Sequence, residues 1–443
     1  MDRIRNITVW LRAQLWLIPL LMSILALALA WWLLTSGAAL LEGWTDPDLW
    51  WLYSGDARSA RDLLSSLLSG LMTMTSLIVS VTFVILTLAA NQLGPRLIAT
   101  FMADRQIQVV LGLFLGTILY VLMVLRTLND TLGSEGVPHI AVTIGSILTT
   151  ICLFALLFYV HKIARAIIAD NVVARVADDL GNDIRSMLPE EAGQAEPALP
   201  DLGPPRAGAI SLDRAGYIQV VDYGGLVSIA GREGVLLEVN VRAGHFILRN
   251  GEHVVVHGKR PLNREAVEAV RGAFLVDGER TPAQDLEYGL RQLVEIALRA
   301  LSPGINDPYT AVAVIDRLGA ALEEILQRSL QPTVWRDKDG EVRVIAQRSD
   351  VQGLTDAAFD AIRQAAGELP TVLIRMADVL GQLAPVLRSA PMREAVVGHL
   401  AKLAETAKEA PLAPSDREAV LARIEQARIA ITAHSRKGTL HLL

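Results

Sequence analysis

Residues 69–91 read SGLMTMTSLIVSVTFVILTLAAN and carry no charge. A membrane span needs roughly 20 mostly apolar residues, and this stretch has them. Its polar residues are ordered. Ser69, Thr73, Ser76, Ser80 and Thr87 recur at steps of four, three, four and seven, and Asn91 follows four later. At about 100° per residue these six fall within a wedge of roughly 60° on one helix face. Asp62, one heptad before Ser69, lies in the same wedge, whereas Thr75 and Thr82 do not. Phe83 and Val84 border it between Ser80 and Thr87. A single polar stripe on an apolar helix needs a partner other than lipid: another helix, or water.

Working outward, three further apolar runs appear, so four spans are expected: 15–34, 67–90, 109–125 and 140–160. Hydrophobic residues make up 52% of the 443, and the first 160 positions hold most of the long runs. The class is an integral membrane protein with a soluble part. The first span resembles a signal peptide in its preceding Arg3, Arg5 and Arg12, but it runs on through Trp31 and Trp32 to Leu34. That is longer than a signal core of roughly 7–15 residues and reads as an uncleaved anchor. Seven of the eight Trp lie at or before Trp51, where amphipathic rings anchor a helix at the interface. Basic residues mark the sides. Arg3, Arg5 and Arg12, then Arg96 and Arg105, then Lys162, Arg165 and Arg175 fall on one side. Arg58 and Arg61, then Arg126 alone, fall on the other, so both termini are expected in the cytoplasm of a bacterial inner membrane.

The span cores hold no Asp, Glu, Lys, Arg or His, which argues against a proton-coupled transporter. Gly112 and Gly116 form a small-xxx-small pair in the third span, read as close helix packing. The net charge of −6 argues against a nucleic-acid partner. One cysteine, Cys152, allows no intrachain disulfide.

Four regions are expected: a transmembrane domain at 1–160, a helical extension at 161–188, a Pro- and acid-rich linker at 189–208, and an α+β domain at 209–443. The extension carries an apolar stripe suited to pairing with a neighbour's copy. Within the last region, 209–260 reads as a small β unit, with 222–230 a candidate helix between its strands. Its spacing loosely suggests a lipoyl-type barrel-sandwich, but no lysine sits at a hairpin tip, so no lipoyl group or other cofactor is expected. Residues 261–443 read as mainly helical, with a hairpin at 333–346 and a loose tail at 436–443.

The sharpest local motif is ALSPGINDPYTA, 300–311. Asp307 is a good helix N-cap and Pro308 a good first residue, so a helix starts here with its N–H groups facing the loop. The loop is either a rigid corner or a ligand site built on Ser302, Asn306 and Asp307. No phosphate-binding loop, His-Glu-x-x-His or Gly-x-Ser-x-Gly is present, so no catalytic residues and no enzymatic activity are expected. His245, His253 and His257 are close in sequence, but His253 and His257 stand roughly 13 Å apart along a strand, too far for one ion. They read as solvated strand-end histidines, and no metal site is expected.

ALSPGINDPYTA together with SLIVSVTFVILTLAANQLGPRLI (76–98) resembles a bacterial family of predicted membrane proteins, domain of unknown function 2254. The resemblance covers nearly the whole chain. It implies four spans, a cytoplasmic C-terminal region and no known activity. Where that family has an Arg-Pro-Gly-Asp-like turn, this chain has Arg242-Ala243-Gly244-His245.

The expected function is an oligomeric channel, cation-preferring, whose pore is lined by the second span through Asp62, Ser69, Thr73, Ser76, Ser80, Phe83, Val84, Thr87 and Asn91. Its partners would be the lipid bilayer, copies of itself and inorganic ions. The hydroxyls would otherwise glue helices together or bond their own i−4 carbonyls. The alternative is a non-conducting membrane-anchored sensor with its site near Asn306.

Overall fold

The structure, a computed structural model, describes residues 16–41, 52–93, 104–128, 137–166, 169–189, 206–330 and 332–440. Near some segment ends only the backbone is described, as at 37–41, 88–93 and 435–440. The chain divides into two compact units, Met1–Asn171 and Val172–Leu443.

The first unit holds α1 (Leu17–Leu41), α2 (Ala57–Leu93), α3 (Arg105–Thr127) and α4 (His139–Ala166). Each is long and apolar enough to cross a membrane. α2 starts ten residues before the apolar span read from the sequence, where Asp56 accepts the Ser59 N–H at 2.9 Å and opens the first turn. α3 starts at Asp104, whose Oδ1 accepts the Gln106 N–H at 2.9 Å and pairs with Lys162 Nζ of α4 at 2.5 Å. The glycine pair works as packing. A Cβ on Gly112 would lie 3.0 Å from the Pro19 backbone of α1, and one on Gly116 would lie 3.3 Å from Ala26 Cβ. Only glycine lets α1 and α3 come this close.

Leu64, Leu71 and Ile78 of α2 meet Phe114, Tyr120 and Val121 of α3 and Val142, Cys152 and Tyr159 of α4 in the buried core of this unit. Polar side chains inside it find partners. Tyr120 donates to the Ala141 carbonyl at 3.0 Å, and the Thr82 hydroxyl pairs with that of Tyr159. Leu21, Leu25, Trp31 and Trp32 of α1 and Phe154, Leu157 and Phe158 of α4 are exposed. Such apolar exposure suits a lipid solvent.

The second unit opens on most of α5 (Ala169–Met187). Its stripe of Val172, Val176, Leu180 and Ile184 is buried, and burial of each such side chain contributes about 1.5–3 kcal/mol. The stripe does not wait for a neighbour's copy. Leu180 packs under Gly289 of α8 (Leu286–Ala300), Arg185 pairs with Glu324 of α9 (Pro308–Gln327) at 3.1 Å, and Arg328 donates to the Leu188 carbonyl at 3.0 Å.

Two sheets follow. β1 (Arg206–Ile210), β5 (Val254–His257), β3 (Leu236–Val239), β8 (Val342–Ala346) and β7 (Val334–Arg336) form one sheet, in that order. β4 (Phe246–Ile247), β2 (Gly216–Val221) and β6 (Phe274–Asp277) form the other. α6 (Tyr223–Glu233) lies between β2 and β3 in sequence and α7 (Arg264–Gly272) precedes β6. Three readings change here. The strands do not close a barrel-sandwich within 209–260, because β3 recruits the distant hairpin through a parallel pairing with β8. The end of the presumed linker is strand β1, whose Ala- and Gly-rich sequence hides it until β5 pairs with it. β6, inside the stretch read as helical, pairs with β2. The hairpin turns at Gly340, which adopts φ +83°, a conformation that favours glycine.

The remainder is helical: α8, α9, α10 (Val351–Ala365), α11 (Pro370–Gln382), α12 (Ala390–Glu409) and α13 (Pro414–Leu440). α13 carries the helix through the first five residues of the tail read as loose.

Candidate functional site

α2 packs through one face and leaves the opposite face open. Its buried residues Ala57, Ala60, Leu64, Leu71 and Ile78 recur at helical spacing. At about 100° per residue they lie roughly 180° from the hydroxyl wedge. Asp62, Ser69, Thr73, Ser76, Ser80 and Thr87 are exposed, as are Phe83 and Val84 at 65% and 67%. Asn91 is in the helix, but its side chain lies outside the described residues. Thr75 and Thr82, outside the wedge by spacing, are half-buried. Thr73 and Thr87 donate to their i−4 carbonyls, of Ser69 at 3.0 Å and Phe83 at 2.9 Å. Such bonds leave the hydroxyl oxygen available as an acceptor. Among the described residues no ion pair joins Asp62 to Arg58.

The second candidate is the loop between α8 and α9. Asp307 Oδ1 accepts the N–H groups of Tyr309 and Thr310 at 3.1 Å, and its Oδ2 accepts the Thr310 hydroxyl at 2.6 Å. The hydroxyl bond, reinforced by the backbone ones, holds its carboxyl below the usual range. Ser302 Oγ donates to the Arg299 carbonyl at 2.6 Å, and the Ser302 carbonyl accepts from Ile305 and Asn306. Asn306 takes φ +49°, a left-handed position that Asn tolerates. Asn306 is exposed and Tyr309 is 77% exposed. The three candidate residues come together, but the polar side chains of Ser302 and Asp307 are committed to the turn itself.

Two of the three histidines differ from the solvated reading. His253 and His257 are 5% and 7% exposed. His253 Nδ1 accepts the Leu212 N–H at 3.0 Å, and His257 Nε2 meets Glu238 at 2.8 Å. His257 ends β5, which lies between β1 and β3, and His253 immediately precedes it, so both rings are buried by neighbours that the local sequence did not reveal.

A buried charged cluster escaped the sequence reading. Glu287 accepts from Arg242 at 2.5 Å, Arg291 at 3.2 Å and Ser349 at 3.2 Å, while Arg280 pairs with Asp285. Gly244, at φ +87°, lies against the Arg280–Asp285 pair. Arg242 and Ser349 also line a cleft with Tyr223, Gln284 and Arg348. The cue was present in DLEYGLRQ, where the acids open an amphipathic helix, but Arg242 and Ser349 come from loops 45 and 62 residues away from Glu287. Among the described residues, one set of three side chains brings metal-ligating atoms together: Asp356, Asp360 and His399, within 4.8 Å of one another.

The family described as Predicted membrane protein (DUF2254) matches residues 12–382. The chain belongs to this family. An uncharacterized protein of Mycobacterium bovis and another of Mycobacterium tuberculosis are each 27% identical over 399 residues, which is 88% of this chain and 75% of each relative. No solved structure matches. All four apolar helices, the hydroxyl face of α2 and the Asn306 loop lie within the part matched to DUF2254. α12 and α13 lie beyond it.

Proposed function

We propose that this member of DUF2254 is an oligomeric membrane channel with α2 lining the pore. One observation carries the reading: among the described residues, the hydroxyl face of α2 points away from the helices that α2 packs against in its own unit. Facing hydrocarbon, Ser76 and Ser80 would gain nothing from their polarity. Arranged around an axis by several copies, the face would line a column of water. Exposed Phe83 and Val84 would supply a hydrophobic constriction, and Asp62 a ring of acids that concentrates cations. The permeant species proposed are therefore inorganic cations.

From the Lys/Arg bias we propose that both termini lie in the cytoplasm of a bacterial inner membrane, and from the net charge of −6 and the missing enzyme motifs that there is no nucleic-acid partner and no catalytic step. The second unit would hold or regulate the assembly. The sensor alternative at Asn306 has less support, because the side chains of Ser302 and Asp307 already serve the corner.

The test is current through bilayers containing the purified protein under a salt gradient. Asp62→Asn is expected to lower cation preference, Phe83→Ala to raise the open fraction, and Ser80→Cys to become blockable by a water-soluble thiol reagent. Absence of current under all conditions, with a cysteine at position 80 closed to water, would reduce the stripe to dry helix packing.

A further inference from the structure

His399 of α12 has no exposed surface, and neither ring nitrogen has a hydrogen-bond partner. A buried imidazole in that condition is costly unless something else completes it. Its Nδ1 points at two carboxylates of α10, 3.5 Å from Asp356 Oδ1 and 3.9 Å from Asp360 Oδ1. The acids stand one helical turn apart, on the same face. Both distances exceed the roughly 2.7–3.2 Å of an N–H···O hydrogen bond. They match ligand spacing instead: atoms about 2.1 Å from a zinc ion lie roughly 3.4 Å apart at tetrahedral angles.

The surroundings are those of a supported site. Gln352 Nε2 donates to both oxygens of Asp356, at 2.9 and 3.0 Å. Arg363 reaches Asp360 at 3.4 Å and Thr406 at 2.7 Å. Such outer hydrogen bonds orient metal-ligating carboxylates. Lys402, one turn beyond His399, places Nζ 2.7 Å from Asp356 and 3.0 Å from Asp360. Its side chain is 36% exposed, so the ammonium has a path to solvent. The two acids are only partly buried, which leaves room for water in further coordination positions.

We propose that Asp356, Asp360 and His399 bind a divalent transition cation, Zn²⁺ or Mn²⁺, in exchange for the Lys402 ammonium. One imidazole with two carboxylates favours such ions over Ca²⁺ and Mg²⁺, which take oxygen ligands throughout. The ion would tie α10 to α12, joining the part of the chain matched to the family to the part beyond it.

The experiment uses purified full-length protein, stripped with a chelator and titrated with zinc, manganese, magnesium or calcium chloride, read by calorimetry and thermal unfolding. Expected are one zinc or manganese per chain, a higher Tm on loading, at least tenfold tighter binding in Lys402→Met, and at least hundredfold weaker binding in His399→Gln. Lys402 is partly exposed, so its variant stays informative even where the histidine variant fails to fold. Zinc and manganese binding to neither the natural protein nor Lys402→Met would overturn the proposal. So would equal affinity in Lys402→Met and the natural protein, undiminished affinity in His399→Gln, or a preference for magnesium or calcium.

Discussion

Asp307 and Arg280 show how differently two charged side chains can matter. Asp307 sits at the surface and caps α9 with three hydrogen bonds. Replacing an N-cap Asp by Ala costs about 0.5–2 kcal/mol. Asp307→Ala is expected to lower the unfolding temperature of the purified protein modestly, and a change of many kcal/mol would mean that the loop does more than cap. Arg280 neutralises Asp285, whose side chain is fully buried. Removing one partner of a buried pair costs about 3–5 kcal/mol, because the other charge remains unpaired. Arg291, half exposed beside Glu287, is worth about 0–1 kcal/mol, since water screens it and Arg242 remains. Chemical denaturation should therefore rank Arg280→Ala far below Arg291→Ala in stability, and equal effects would contradict the burial argument.

At the scale of elements, α2 and α3 use small residues in opposite ways. Gly112 and Gly116 of α3 are where α1 fits, and a larger side chain there meets α1 atoms. Gly70 of α2 has open space around its Cβ direction. Overpacking a tight contact costs about 1–3 kcal/mol. Gly112→Leu is therefore expected to lower thermal stability in detergent, and Gly70→Leu to leave the packing of its own unit intact. Equal destabilisation by the two would place a close contact at Gly70 as well, as a dry interface between copies would. In α5, the same kind of apolar stripe that could mark a coiled coil is instead buried within the chain, with Leu180 against Gly289 of α8. Periodicity reports that a face is apolar, while its partner depends on the rest of the chain.

At the scale of the whole molecule, the expected topology follows from basic residues flanking the spans. In a background with Cys152→Ala, Asp48→Cys is expected to react with an impermeant thiol reagent from outside intact cells. Lys338→Cys, an exposed position in the hairpin turn, is expected to react only after permeabilisation. Position 48 lies outside the described residues, so labelling bears on it directly. The reverse pattern would invert the orientation and move the Asp62 ring to the other mouth of the proposed pore.

The sequence by itself determined the four apolar helices, the glycine packing motif, the α8–α9 corner and most helices of the second unit. These depend on residues near one another along the chain: hydropathy over a span, period along a helix, a cap and its first turn. The hydroxyl wedge was legible for the same reason. Only the tertiary structure decided which side of α2 is packed, because that depends on α3 and α4. It also decided that β3 pairs with a strand about 100 residues away, that His253 and His257 are buried, and that Asp356 and Asp360 face His399. Long-range pairing carries little local signal: a strand edge, a buried ring or a carboxylate acquires its meaning from whatever the fold brings beside it.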